Sequence, residues 1–299
     1  MSASTTEIID AHRRAGRTFT AAGARSFVRE QGEGEAVVCV HGMWGSSFLY
    51  RKVLGELAGR GLRGISFDLP GFGLAQRPRD YDYSWSGLGR FATAAVDALK
   101  LDRFHLVVHD IGGPVGFELA AARRERIASI TLLNTIVDVT EFKPPWSMEP
   151  FRHRGIGEAW LAGIKKPMFR RLMALQGLGD PGCITKPELN AYVDLMRGDD
   201  NGRGFLQVSR HAERTAEKQE LYRSTLGNVP YPVQIVWAAE DPAMKLTKYG
   251  EPARRVAGLK EIQTLPGKHF PQEDQAPAIA ERVAAIARRS RLTALKKTA

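Results

Sequence analysis

The sequence predicts an α/β protein: a mostly parallel sheet with helices on both faces, interrupted by an inserted helical cap. Three observations carry this. Short apolar runs alternate with helical patterns, joined by short links. The runs are continuously apolar, as strands buried on both faces must be. The alternation stops between residues 137 and 228, where helical patterns continue without a buried strand.

Taken in order, "RTFTAAGARSFVREQGEG" reads as two short strands closing in a turn at Gly32 and Gly34. "AVVCVHG" is the first buried strand. "SSFLYRKVLGELAGRG" starts on a serine cap and ends on glycine, which is a helix. "RGISFDLPGFG" is a second buried strand ending in a glycine turn. A helix over "SWSGLGRFATAAVDALKL" leads to the third, "FHLVVHD". The helix "GPVGFELAAARRER" and the strand "IASITLLNT" follow. Cap helices are expected in "GIGEAWLAGI", "MFRRLMALQGL", "KPELNAYVDLMR" and "FLQVSRHAERTAEKQELYRS". The core resumes with the strand "VQIVWAAED", a helix near "YGEPARRVAG", the strand "EIQTLP" and a last helix "PAIAERVAAIARRSR". The expected division is therefore a core of residues 1–136 and 229–299 and a cap of residues 137–228.

Composition narrows the function. The net charge is +10, but the basic residues are spread, with concentrations at "AHRRAGR" and "RRSRLTALKK" that read as solvated termini. Without a motif or clustered aromatics, nucleic acid is not an expected partner. No apolar run is long enough to span a bilayer, and the N-terminus lacks the apolar core of a secretory signal. Cys39 and Cys183 offer neither metal-ligand spacing nor a disulfide framework. "GEGEA" and "DLPGFGLA" are turns without the ending of a phosphate loop. A cytoplasmic protein without metal or cofactor is expected.

In a parallel sheet, ligands collect beyond the carboxyl ends of the strands. Three polar groups fall there: Asp110 after the third buried strand, Asp241 after "IVWAAE" and His269 after "EIQTLPGK". Their order is nucleophile, acid, histidine. Gly112 and Gly113 suit a sharp strand-to-helix turn behind Asp110, although Val108, two places before, is larger than usual. The alternative for Asp110 is a helix N-cap. Glu240 is a rival to Asp241 but should point elsewhere. His41 and His109 read as structural hydrogen-bonders.

The segments "HGMWGSSFLYRKV", "DLPGFGLAQRP", "VVHDIGG", "VWAAEDPA" and "GKHFPQED" resemble the aspartate-nucleophile branch of the α/β-hydrolase superfamily, which includes haloalkane dehalogenases and epoxide hydrolases. The resemblance implies an alkyl-enzyme ester on Asp110, His269 as general base and Asp241 orienting it. It also implies oxyanion donors from the backbone N–H groups of Met43 and Ile111, a small apolar organic substrate, and water. Some members place the acid one strand earlier; here Asn134 falls there. Dehalogenases commonly carry side-chain halide donors where this chain has Ile111 and Met43. Trp44, Trp146 and Trp160 are the substitutes, and each is also suited to packing. For an epoxide, Tyr192 and Tyr222 of the cap are the candidate proton donors. A non-catalytic ligand-binding protein of the same fold is the third reading.

Overall fold

The computed structural model describes residues 3–298, with side chains to residue 292. In the tail expected to be solvated, Arg288 and Arg291 are exposed, while the first two residues and the side chains after residue 292 lie outside the described residues. Eight strands form one sheet: β1 (Gly16–Ala21), β2 (Ala24–Gln31), β3 (Glu35–Val40), β4 (Leu62–Phe67), β5 (Phe104–Asp110), β6 (Ile127–Thr135), β7 (Val233–Ala238) and β8 (Gln263–Leu265). Their order is β1-β2-β4-β3-β5-β6-β7-β8. The pairs β1–β2 and β2–β4 are antiparallel, and the rest are parallel. The predicted hairpin therefore forms one edge of a doubly covered sheet. Strand β5 is buried throughout, as its unbroken apolar run demands.

Helices α1 (Thr5–Arg14), α2 (Arg51–Ala58), α3 (Trp85–Ala98) and α4 (Gly112–Ala122) belong to the first part of the chain. Between β6 and β7 lie α5 (Ile156–Gly163), α6 (Lys166–Leu172), α7 (Lys186–Arg197), α8 (Arg203–Arg210) and α9 (Ala216–Ser224). After β7 come α10 (Glu251–Val256), α11 (Pro271–Asp274) and α12 (Ala276–Thr298). Helix α2 packs on α12, and α3 on α4. Ser84 caps α3, its hydroxyl accepting from the Gly87 N–H at 3.0 Å.

The N-terminal basic stretch departs from its reading as a solvated end. Ser4 and Glu7 cap α1 reciprocally. His12 is buried, its Nε2 3.1 Å from Ser47 Oγ, while Arg13 remains exposed. Helical periodicity turns one side of "AHRR" inward and leaves the arginine outside.

The turn at Asp110 depends on close backbone approach. A Cβ on Gly112 would fall on the carbonyl oxygens of Val40 and His41, the second at 2.8 Å. Val108, large for its place, is accommodated by Gly116, where a Cβ would collide with Val108 Cγ1. Gly112→Ala should therefore destabilise the protein by about 1–3 kcal/mol or more, as overpacking does. Gly163→Ala, where a Cβ meets nothing within 4 Å, should change stability by less than about 1 kcal/mol. Urea unfolding of the two variants checks the contrast.

Candidate active site

Asp110 sits at the end of β5 with φ +53°, a left-handed conformation that a non-glycine residue adopts only when its surroundings enforce it. It does not cap α4, which begins at Gly112 without a side-chain cap. Its carboxylate turns to the sheet's carboxyl edge. There Oδ1 accepts from the Met43 N–H at 2.7 Å, and Oδ2 lies 3.5 Å from His269 Nε2. His269 Nδ1 is 2.8 Å from Asp241 Oδ2. The three residues thus form a continuous chain, Asp110–His269–Asp241.

Asp241 is fixed from several sides. Its Oδ1 accepts from the N–H groups of Ala243 and Met244 at 2.8 and 2.9 Å. Its Oδ2 also accepts from Asn134 Nδ2 at 2.8 Å. Asn134 occupies a β-bulge: His109 pairs with Leu133, and Asp110 with Thr135. The skipped residue, at φ +31°, turns its amide toward β7, where Oδ1 accepts from the Ala238 N–H at 2.9 Å. The position that cannot supply the acid holds the acid in place instead. Glu240 is exposed.

The charges explain one another. Burial alone would push the carboxyl of Asp110 up, but His269 and the Met43 N–H outweigh it and hold it below the ordinary value. Asp241 is likewise pushed up by burial and brought below its ordinary value by His269 and its backbone donors. For His269, burial lowers the value, and the charges and hydrogen bonds of Asp241 and Asp110 raise it to about 10. His41 and His109 are pushed down to about 4, chiefly by burial, and are neutral. His41 Nε2 accepts from the Leu69 N–H at 3.0 Å, and His109 Nε2 donates to the His269 carbonyl at 2.7 Å.

The carboxylate and imidazole face a cavity of about 890 Å³, open mouth included. Its wall is mostly apolar and comes largely from the segment between β6 and β7: Phe142, Pro144, Met148, Phe169, Leu172 and Met173. Met43, Trp44 and Ile111 line it from the core. A Cβ on Gly42 would occupy the Asp110 carboxylate's own space. Trp44, at φ +61°, presents its indole to Phe151, Phe169 and Phe205, and its Nε1 donates to Met148 Sδ at 3.0 Å.

Several expected contacts fall elsewhere. The Ile111 N–H makes no hydrogen bond to the Asp110 carboxylate among the described residues; Ile111 contributes to the cavity wall. Trp146 is 66% exposed and does not line the cavity. Trp160 does not line it either. The Tyr192 hydroxyl donates to Glu273, within a buried cluster where Arg51 pairs with both Glu273 and Glu188. The Tyr222 hydroxyl donates to Glu118 at 3.2 Å. Both tyrosines lie outside the cavity because carboxylates of the core claim their hydroxyls. Trp85 does line it, with an indole N–H that has no partner among the described residues. Its place at the start of the helix "SWSGLGRFATAAVDALKL" is visible in sequence, but nothing there places it at the site.

A family model described as alpha/beta hydrolase fold matches residues 35–276. The chain belongs to the α/β-hydrolase family. A haloalkane dehalogenase of Sphingobium indicum is 30% identical over 296 residues, covering 90% of this chain and 94% of that one. Among solved structures, Cfl2 of Burkholderia cenocepacia superposes with a TM-score of 0.76 at 23% identity, over 90% of this chain and 94% of the other. Epoxide hydrolase VrEH1 of Vigna radiata does so with a TM-score of 0.73 at 23% identity, over 92% and 97%. These two share the fold. This α/β-hydrolase is an enzyme of the hydrolase class. Among the described residues, no helix is long and apolar enough to cross a membrane. No group of three or more potential ligands there could hold a metal ion.

The cluster ties stability to pH. His269 is raised above its ordinary 6.5, so its contribution is complete below that value and fades as pH rises toward about 10. Asp110 and Asp241 lie below their ordinary 3.8, so theirs is present above that value and lost as pH falls below it. Urea unfolding of the wild type should show stability declining between about pH 7 and pH 9.5. His269→Gln should have a shallower alkaline decline.

Proposed function

We propose that this hydrolase cleaves carbon–halogen bonds at saturated carbon through an ester on Asp110. The observation that carries the reading is the Asp110 carboxylate in the wall of a mostly apolar cavity, with Oδ1 on the Met43 N–H and Oδ2 3.5 Å from His269 Nε2. A carboxylate needs no base to attack. Oδ2 forms a bond to the carbon, and the halide leaves with the electron pair of the carbon–halogen bond. Oδ1 becomes the ester carbonyl oxygen, polarised by the Met43 N–H at 2.7 Å.

The second step needs the base. Esterification removes one of the two charges that keep His269 protonated, so its proton affinity falls and it releases that proton to solvent. Neutral His269, oriented by Asp241, then takes a proton from water through Nε2. The hydroxide equivalent adds to the Asp110 carbonyl carbon, and negative charge develops on Oδ1 beside the Met43 N–H. Collapse breaks the bond to the alkoxy oxygen, which takes the proton of the added hydroxyl and leaves as the alcohol, and the carboxylate is restored.

Trp44 is the candidate halide donor. Its indole N–H rests on a thioether, a weak acceptor that a halide can replace. Trp85 Nε1, buried and unpartnered in the same wall, is a second. The dehalogenase reading is favoured over the epoxide one because the cavity-lining residues include no tyrosine, and Tyr192 and Tyr222 are engaged elsewhere. We retain residues 137–228 as the cap and the remaining chain as the core.

His269→Gln leaves the attack possible and removes the base. Incubated with 1-bromohexane, it should release at most one equivalent of bromide and gain one hexyl group on the peptide carrying Asp110, read by peptide mass spectrometry. Asp110→Ala should gain none. A hexyl group on another residue, or steady turnover by Asp110→Ala, overturns the proposal.

A further inference from the structure

The cavity wall is mostly apolar, yet two guanidinium groups line it at positions outside the reacting machinery. Arg152 follows Phe151 in the cap, and Arg214 stands two residues before α9. Arg152 already has a counter-ion: Nη1 lies 2.9 and 3.2 Å from the two carboxylate oxygens of Glu149. Arg214 is partly buried. Its Nη1 donates to the Phe142 carbonyl at 3.2 Å, and its Cζ stands 5.7 Å from the centre of the Phe142 ring. Among the described residues, no carboxylate forms an ion pair with it. Burial first, and then the neighbouring charge of Arg152, push its guanidinium below the ordinary value, and the Glu149 carboxylate offsets only part of this.

A partly desolvated cation beside an apolar wall is costly unless an anion meets it. Arg152, Arg214 and Glu149 together leave a single positive charge at this part of the wall. Elsewhere along the same cavity, Asp110 and Asp241 around a protonated His269 leave a single negative one. A molecule with an anionic end is therefore repelled from the triad and attracted to the arginines, which fixes its orientation. A monoanion balances the single positive charge, and a guanidinium can meet a carboxylate with two parallel N–H donors.

We propose that the substrate of this hydrolase carries a carboxylate remote from its reacting carbon, and that Arg214, with Arg152 beside it, receives that carboxylate. The identity of the reacting carbon rests on the dehalogenase reading; the binding of the carboxylate does not. The class is a medium-chain ω-halocarboxylate. The apolar wall takes the methylene chain, and the carbon–halogen bond reaches Asp110.

The test separates binding from chemistry. Hexanoate and hexanamide match in length and differ in charge, and neither carries a leaving halide. Calorimetric titration of the wild type should show hexanoate binding at least tenfold tighter. Arg214→Gln should abolish that preference, and Arg214→Lys should retain part of it, with thermal melts confirming that both fold. Equal wild-type affinity for the two probes, or a preference that survives Arg214→Gln, overturns the proposal. Bromide release from 1-bromohexane and 6-bromohexanoate, run alongside, reports on the dehalogenase reading separately. If neither compound is turned over while the hexanoate preference depends on Arg214, that reading fails and the carboxylate site stands.

Discussion

Two buried carboxylates share one imidazole. Asp110 and Asp241 are 6% and 4% exposed, and their mutual repulsion in such surroundings would be severe if both stood alone. His269, protonated between them, makes the arrangement stable. The remaining hydrogen bonds fit this condition: Met43 on one carboxylate, Asn134, Ala243 and Met244 on the other, and His109 on the histidine's own carbonyl. The site is poised because its charge balance changes once Asp110 is esterified. The group that held a proton against two anions then faces one.

The backbone around this cluster is held in conformations that glycine would adopt more readily. Asp110, Trp44 and Asn134 have φ values of +53°, +61° and +31°, and they follow or end three different strands. Strain of this kind persists where neighbouring structure over-determines it. Here the parallel strands β3, β5 and β6 supply the rigid frame, and the small space left by Gly42, Gly112 and Gly116 lets the loops close on one another.

The segment between β6 and β7 is fastened to the loop that carries the histidine. The N–H groups of His269 and Phe270 donate to the carbonyls of Gln176 and Gly177 at 3.2 and 2.8 Å, and Lys268 Nζ donates to the Ala174 carbonyl at 2.8 Å. Further along the same motif, Asp274 accepts from the N–H groups of Gly179 and Asp180 at 2.8 and 3.0 Å. Glu273 binds Tyr192 and Arg51. The segment "GKHFPQED" thus supplies both the imidazole and the anchor of the cavity's roof. Tyr192, attractive as a proton donor in sequence, serves that anchor.

The sequence by itself determined the parallel sheet, because unbroken apolar runs such as "FHLVVHD" have to be buried on both faces. It also located Asp110, Asp241 and His269 at strand ends, because chain order and glycine spacing are local properties. Tertiary structure decided which side chains share the cavity. A bulge that turns Asn134 onto Asp241, carboxylates that withdraw Tyr192 and Tyr222, and the placing of Arg152 and Arg214 along one cavity all depend on contacts between segments distant along the chain. Periodicity reports which face of an element is buried; it carries no information about which distant residue will be found there.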